Sequence, residues 1–402
     1  MFRSSFLCSL VLAVALPVLH AQDPTAPAST ETPLKFTAIL DAFYSQDLNH
    51  PASGLGGFRN FDWKQGLELN AAEINLERDG PEFGFRLDAG LGEMFRSMNL
   101  SDPWGGPNRY ISQAFVSYKP RKNGLRFDFG KFYTSVGAEA AETYNNFNYS
   151  RSLLFTLGEP YYHFGFRATI PLTASFSAGV QLVNGWNDVR DNNSGKSVAL
   201  VSTWTHPKWG WSEVYMTGPE KSGTDPGFRR LYDSVFTVSP NRWANAYVEG
   251  LWAMDRRIGG GKDQWSGVAG TAKFSLPKNW SLSQRVERFY DSTGFTTGTP
   301  QHLTEATNTL DYRPARFLVV RSEFRRDWSD QNVFEKRGSP RASKGPDNSA
   351  AGVDLCRHGE ALSSRAIDRA AFSLDPTAPR DTPAHCSRRA TPTTERRGRW
   401  RK

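Results

Sequence analysis

Cysteine is nearly missing from this 402-residue chain: Cys8 lies near the start, and Cys356 and Cys386 lie close to the end. Residues 34–343 hold none, which excludes a disulfide framework and a thiolate metal site there. Long apolar runs are missing too. After the first 21 residues no stretch approaches 18 consecutive apolar side chains, so no transmembrane helix is expected. No segment sustains a 3.6-residue period. Signs of catalysis are equally sparse. There is no G-x-S-x-G elbow, and GGGKD at 259–263 has no Ser or Thr after Lys262. The histidines of the body, His50, His163, His206 and His302, have no serine at a useful spacing. An enzyme is not expected, nor is a cofactor. NDVRDNNSGK (187–196) gathers Asp188, Asp191 and asparagines but lacks the Gly and terminal Glu of a calcium loop, so it reads as a solvated turn.

The formal charge of +8 is unevenly placed. Residues 338–402 carry 13 Arg and Lys against 7 Asp and Glu, a net of +6, and Arg3 adds one more. The body is thus near neutral, and the basic pI of 9.3 is no nucleic-acid signal. Residues 1–21, MFRSSFLCSLVLAVALPVLHA, read as a secretory signal peptide: an early Arg3, an apolar core from Phe6 to Leu19, and Ala21 before a polar stretch. Residues 22–33, QDPTAPASTETP, read as a disordered linker.

What fills the body is alternation. Phe83, Phe85, Leu87, Ala89 and Leu91 share one face, opposite Glu82, Arg86 and Asp88. His163, Arg167 and Thr169 alternate with Tyr162, Phe164, Phe166, Ala168 and Ile170, and Arg321, Glu323, Arg325 and Asp327 with Leu318, Val320, Ser322 and Phe324. Period two over 8–10 residues means strand with one apolar face. A phase switch near Ala71 and Ala72 marks a bulge.

Prolines punctuate these strands, and from Pro171 to Pro207, Pro240, Pro277 and Pro314 the gaps are 36, 33, 37 and 37 residues. Between these tight turns lie longer polar loops at 46–66, 93–109, 134–158, 184–195, 217–228, 255–264, 291–301 and 329–343. Short turns at one end and long loops at the other define an antiparallel transmembrane β-barrel of the outer membrane. Mean hydropathy of −0.54 is compatible, because such strands show lipid only every second residue. Trp186, Trp204, Trp209, Trp211, Trp243, Trp252, Trp265, Trp280 and Trp328 sit near strand ends, as interfacial girdles do. A soluble sandwich is the competing reading, but it rarely needs so many hairpins in one domain.

The segment 125–172, with DFGKF, the GAE…NYSRS…LF run and EPYYH, followed by NGWND at 184–188, resembles the OmpL-like family of bacterial β-barrel porins over about residues 35–337. The resemblance implies an outer-membrane channel with no defined catalytic residues. The expected function is passive diffusion of small hydrophilic solutes; the alternative is an adhesin or receptor working through its long loops. Expected partners are outer-membrane lipid, the solutes and the barrel-assembly machinery, with no nucleic acid; no oligomeric state is expected from the sequence.

By strand count, 134–158 is the third external loop, which folds into the lumen of the sixteen-stranded porins this chain resembles. Glu139, Glu142 and Arg151 are then constriction candidates, facing Arg86, Arg167, Arg321 and Arg325 across a transverse field. Asp88, His163, Glu323 and Asp327 join them as expected lumen-facing residues.

About 15 strands are countable between Lys35 and Trp328, and barrels of this kind have even numbers. A sixteenth should begin near residue 344, where alternation stops and Arg takes over. Residues 34–343 are therefore assigned to the barrel and 344–402 to a disordered basic tail. We read residues from about 345 onward as out of frame, since allowed codons for this stretch also encode an apolar strand in the next frame.

Overall fold

The computed structural model describes residues 32–54, 57–100, 107–120, 124–336, 339–343 and 347–358. The signal-peptide assignment and most of the linker lie outside the described residues.

Fifteen strands follow one another as antiparallel neighbours: β1 (Lys35–Asp47), β2 (Gly66–Asp79), β3 (Phe83–Leu91), β4 (Ile111–Tyr118), β5 (Arg126–Tyr133), β6 (Tyr162–Pro171), β7 (Phe176–Val183), β8 (Ser197–His206), β9 (Trp209–Lys221), β10 (Thr224–Asn241), β11 (Ala244–Arg256), β12 (Lys262–Leu276), β13 (Trp280–Asp291), β14 (Gln301–Ala315) and β15 (Leu318–Ser329). A small hairpin of β16 (Phe334–Lys336) and β17 (Ser339–Ser343) stands apart. The last strand, β18 (Asp347–His358), pairs with β15 on one side and β1 on the other, closing a sixteen-stranded barrel. This corrects two expectations. The sixteenth strand is present in the chain as written, and residues 347–358, expected as disordered tail, form it. The ladder explains why: Leu355 is in register with both Ala42 and Val320, and two open edges offer this backbone partners that local composition does not reveal. Residues 359–402 lie outside the described residues.

Outward positions meet the expectation for lipid. Phe85, Val116, Phe129, Val180, Leu182, Leu200, Val248, Val268, Val286 and Phe324 are exposed, while their alternates point inward. Near the short-turn end, rings form a belt. Phe83, Tyr118, Phe127 and Phe166 follow each other at 5.2, 6.4 and 5.5 Å, and Phe176, Trp204 and Trp211 at 4.7 and 5.1 Å. Trp265 departs from the expected girdle: it is buried, 6.1 Å from the half-buried Trp186.

The expected bulge is one residue away, at Asn70: Asp41 pairs with Ala71 and Ala42 with Leu69, so Asn70 is the extra residue. The expected loop at 217–228 is instead a hairpin. β9 and β10 continue to a turn at 222–223 with a bulge between Thr224 and Phe228, because the two strands pair with each other beyond their neighbours. The loop after β3 contains one short helix, α1 (Glu93–Met98).

Candidate functional site: the lumenal loop and its two walls

The segment 134–161, between β5 and β6, runs inside the barrel. Apolar residues take it there. Leu153 and Leu154 are fully buried in a cluster with Leu251, Trp265, Phe289 and Leu303 of the wall. A π-helical turn at Leu154–Gly158 presents its last carbonyl to the Trp265 Nε1, which donates at 3.0 Å. Gly267 permits this approach, since a Cβ there would stand 2.6 Å from Leu154 Cδ2. Burial of leucines at this scale contributes about 1.5–3 kcal/mol each.

The polar half of the segment lies on β13–β15. Glu323 accepts the backbone N–H of Tyr149 at 2.6 Å and of Ser150 at 3.0 Å, and the Thr309 hydroxyl at 2.7 Å. Glu287 accepts the N–H of Leu153 at 2.7 Å and of Leu154 at 3.3 Å. Arg285 is fully buried, pairing with Glu139 at 2.6 Å and Glu305 at 2.9 Å, and donates to the Ser150 carbonyl at 2.7 Å. Arg321 pairs with Asp311 at 2.7 Å and donates to the carbonyls of Thr143, Asn146 and Asn148 at 3.1–3.2 Å. Arg325 pairs with Asp327 at 2.8 Å and donates to the Arg151 carbonyl at 2.6 Å. Arg321 and Arg325 thus hold the segment's backbone directly, rather than facing its charges across an open bore. Arg151 turns back on its own segment, donating to the carbonyls of Tyr149 and Ala141 and lying 4.9 Å over the Phe61 ring.

The β2–β6 wall is different. Arg86 binds Asp88 at 2.8 Å, and Gln113 also donates to Asp88, at 2.6 Å. Asp128 sits between Arg126 at 2.8 Å and Arg167 at 2.7 Å. The Arg167 guanidinium lies 4.4 Å over Phe132. Glu142, buried, reaches this wall beside Asp88 and Glu73. His163 is buried, with Nδ1 2.9 Å from the Gly185 carbonyl and Nε2 3.0 Å from Thr134 Oγ1. A carbonyl only accepts, so Nδ1 carries the proton and Nε2 accepts from Thr134. The histidine staples the loop's start. A third patch of carboxylates lies at the segment's ends. Asp233 accepts the Gly137 N–H at 3.0 Å and Glu249 the Ala138 N–H at 3.1 Å. Burial, then the like charges of Glu249, Asp233 and Glu139, push the Glu159 carboxyl well above the usual range, and neither of its oxygens has a partner.

The long-loop end is capped. Phe61, Met94, Phe95, Met98 and Phe155 share one buried cluster. Glu93 anchors it: burial pushes its carboxyl up, but hydrogen bonds from Arg96, Trp63 and Ser97 hold it at about 2. The loop at 184–196 keeps its turn character, with Asp191 paired to Lys196 and Asn192 donating to Asp188 at 2.9 Å.

Arg285, Glu287, Glu305, Asp311 and Glu73 belong to the site but not to the residues expected from sequence. A signal for the first two was present in WSLSQRVERFYD, which alternates as RSEFRRDWS does. Their partners in the loop were not readable, because Arg285 and Glu139 are 146 residues apart.

The family model described as "Putative beta-barrel porin-2, OmpL-like" matches residues 33–357. The chain belongs to this family. The porin is an outer-membrane β-barrel channel, and its match runs through nearly all of β18. Among curated proteins, none matches it in sequence. Among solved structures it is similar in fold to an anion-selective porin from Comamonas acidovorans, with a TM-score of 0.57, 10% identity, and 81% of this chain and 99% of that chain covered. It is similar also to the trimer form of OmpT from Vibrio cholerae, with a TM-score of 0.56, 12% identity, and coverage of 81% and 99%. For the outer-membrane channel DcaP of Acinetobacter baumannii the TM-score is 0.55, the identity 11%, and the coverage 81% and 97%.

Proposed function

We propose that the porin passes small hydrophilic solutes by passive diffusion, that segment 134–161 sets its bore, and that the lumen prefers cations. One observation carries the preference. Among the described residues, twenty carboxylates are buried against six Arg and Lys side chains. Half-buried Arg86, Arg126, Arg167, Arg229, Lys119, Lys221 and Lys273 narrow this excess without reversing it. Carboxylates facing a wet pore raise the local cation concentration. Glu139, Glu142 and Arg151 belong to the constriction in this reading. Arg86, Asp88, His163, Arg167, Arg321, Glu323, Arg325 and Asp327 are its walls and braces. Transport to the outer membrane after signal-peptide cleavage, and insertion by the barrel-assembly machinery, complete the proposal.

Planar-bilayer recording tests the channel. Stepwise currents, with a reversal potential of cation-selective sign in a KCl gradient, are expected. An anion-selective sign overturns the preference. A sealed barrel that binds a surface ligand supports the adhesin or receptor alternative instead.

A further inference from the structure

Glu73 on β2, Asp88 on β3 and Glu142 in the lumenal segment bring one carboxylate oxygen each within 4.8 Å of one another, and all three side chains are buried. Asp88 is bonded at both oxygens, by Arg86 and Gln113, but Glu73 and Glu142 are each only half used. Asn75 donates to Glu73 Oε1 at 2.7 Å, with the Ser112 hydroxyl at 3.5 Å, and Asn145 donates to Glu142 Oε2 at 3.3 Å. The other oxygens, Glu73 Oε2 and Glu142 Oε1, are buried without a partner. So is Asn75 Oδ1, whose amide nitrogen is the group bonded to Glu73. Arg86 is the cation at hand, and its hydrogen bonds go to Asp88. Three buried carboxylates against one guanidinium leave a net negative charge, and each uncompensated buried charge costs several kcal/mol.

We propose that Glu73, Asp88 and Glu142 bind a divalent cation of the Ca²⁺ class, and that this ion ties the lumenal segment to the β2–β3 wall. The ligand chemistry is hard throughout: carboxylate oxygens, with no imidazole or thiolate, which suits Ca²⁺ and not Zn²⁺. The spacing fits as well. Ca²⁺ holds oxygens at about 2.4 Å, so any two ligands of one ion stand no more than about 4.8 Å apart, and these three oxygens lie within that limit. Glu142 lies far along the chain from the other two, so one ion brings loop and wall together where β13–β15 brings them together with arginines.

The test is calorimetric titration of CaCl₂ into the folded full chain in detergent, after chelator treatment and exchange into metal-free buffer. One saturable equivalent per chain is expected. Glu73→Gln and Glu142→Gln should each weaken binding about tenfold or more, since affinity follows ligand charge. Asp191→Asn, in the solvated turn, should bind as the wild type does. No saturable binding in the wild type overturns the proposal, whether or not a variant folds. Equal binding by folded Glu73→Gln and Glu142→Gln overturns it too, because the ion is then held elsewhere. Binding is read without conductance, so the outcome is independent of the channel reading.

Discussion

The two sides of the lumen handle charge in opposite ways. On β13–β15, Arg285, Arg321 and Arg325 each meet a carboxylate and a loop carbonyl, while Glu287 and Glu323 accept loop N–H groups. On β2–β3 and on β10–β11, carboxylates meet one another, and Glu73, Glu142, Glu159, Asp233 and Glu249 keep oxygens without partners. One side is an anchor. The other gathers buried carboxylates with few cations among them. The difference teaches that one lumenal loop can be held by paired charges on one wall and by carboxylates without cations of their own elsewhere.

The largest break in that contrast is Arg285→Ala. It leaves Glu139, Glu287 and Glu305 without their shared cation, and loss of one partner in such a buried group costs about 3–5 kcal/mol. Denaturant unfolding should register the loss, and single-channel conductance should rise as the segment leaves the wall. Unchanged conductance in a destabilised barrel would mean the segment is held without Arg285. Glu323→Gln is milder: it keeps an acceptor but removes the charge from two N–H hydrogen bonds, at about 1.5–3 kcal/mol.

The unbalanced side predicts the reverse sign. The Glu159 carboxyl is raised in the folded protein, so the folded state holds a proton the unfolded state has lost. Stability is then fully present below the unfolded value and falls as pH rises through the folded one. Glu159→Gln should flatten the decline of the unfolding midpoint above about pH 4.3. A steeper decline in the variant would show that Glu159 is charged and balanced. The smallest effect belongs to Glu93, held at about 2. A depressed carboxyl stabilises above its unfolded value and loses that contribution as pH falls toward 2. Thermal unfolding of Glu93→Gln should lose its acid dependence in that window, with the midpoint lowered at neutral pH, where the carboxylate contributes, and converging with the wild type as pH falls toward 2.

Much of the barrel was legible because alternation is local. Arg321, Glu323, Arg325 and Asp327 share a face by pleat geometry alone, and the lumen receives them. The third long loop was legible by its order in the hairpin series and by Leu153, Leu154 and Phe155, apolar residues that required packing partners. The aromatic belt was legible at Trp204, Trp209, Trp211 and Trp280 but not at Trp265, which points inward to a carbonyl supplied by the loop. The hairpin at 217–228 was hidden by its loop-like Gly and Pro content, and the Glu73, Asp88 and Glu142 group by a bulge at Asn70 and a loop path that alternation does not encode.

By itself the sequence determined most of the strands, their lipid and lumen faces and the hairpin asymmetry, since period two follows from the extended backbone wherever it occurs. Only the tertiary structure decided which charges pair, which wall holds the loop, and that Asp347–His358 closes the barrel. Those outcomes depend on curvature. Closing the sheet brings β1 to β15 with room for one strand between, and it places groups from distant hairpins around a common lumen where burial makes each pairing count.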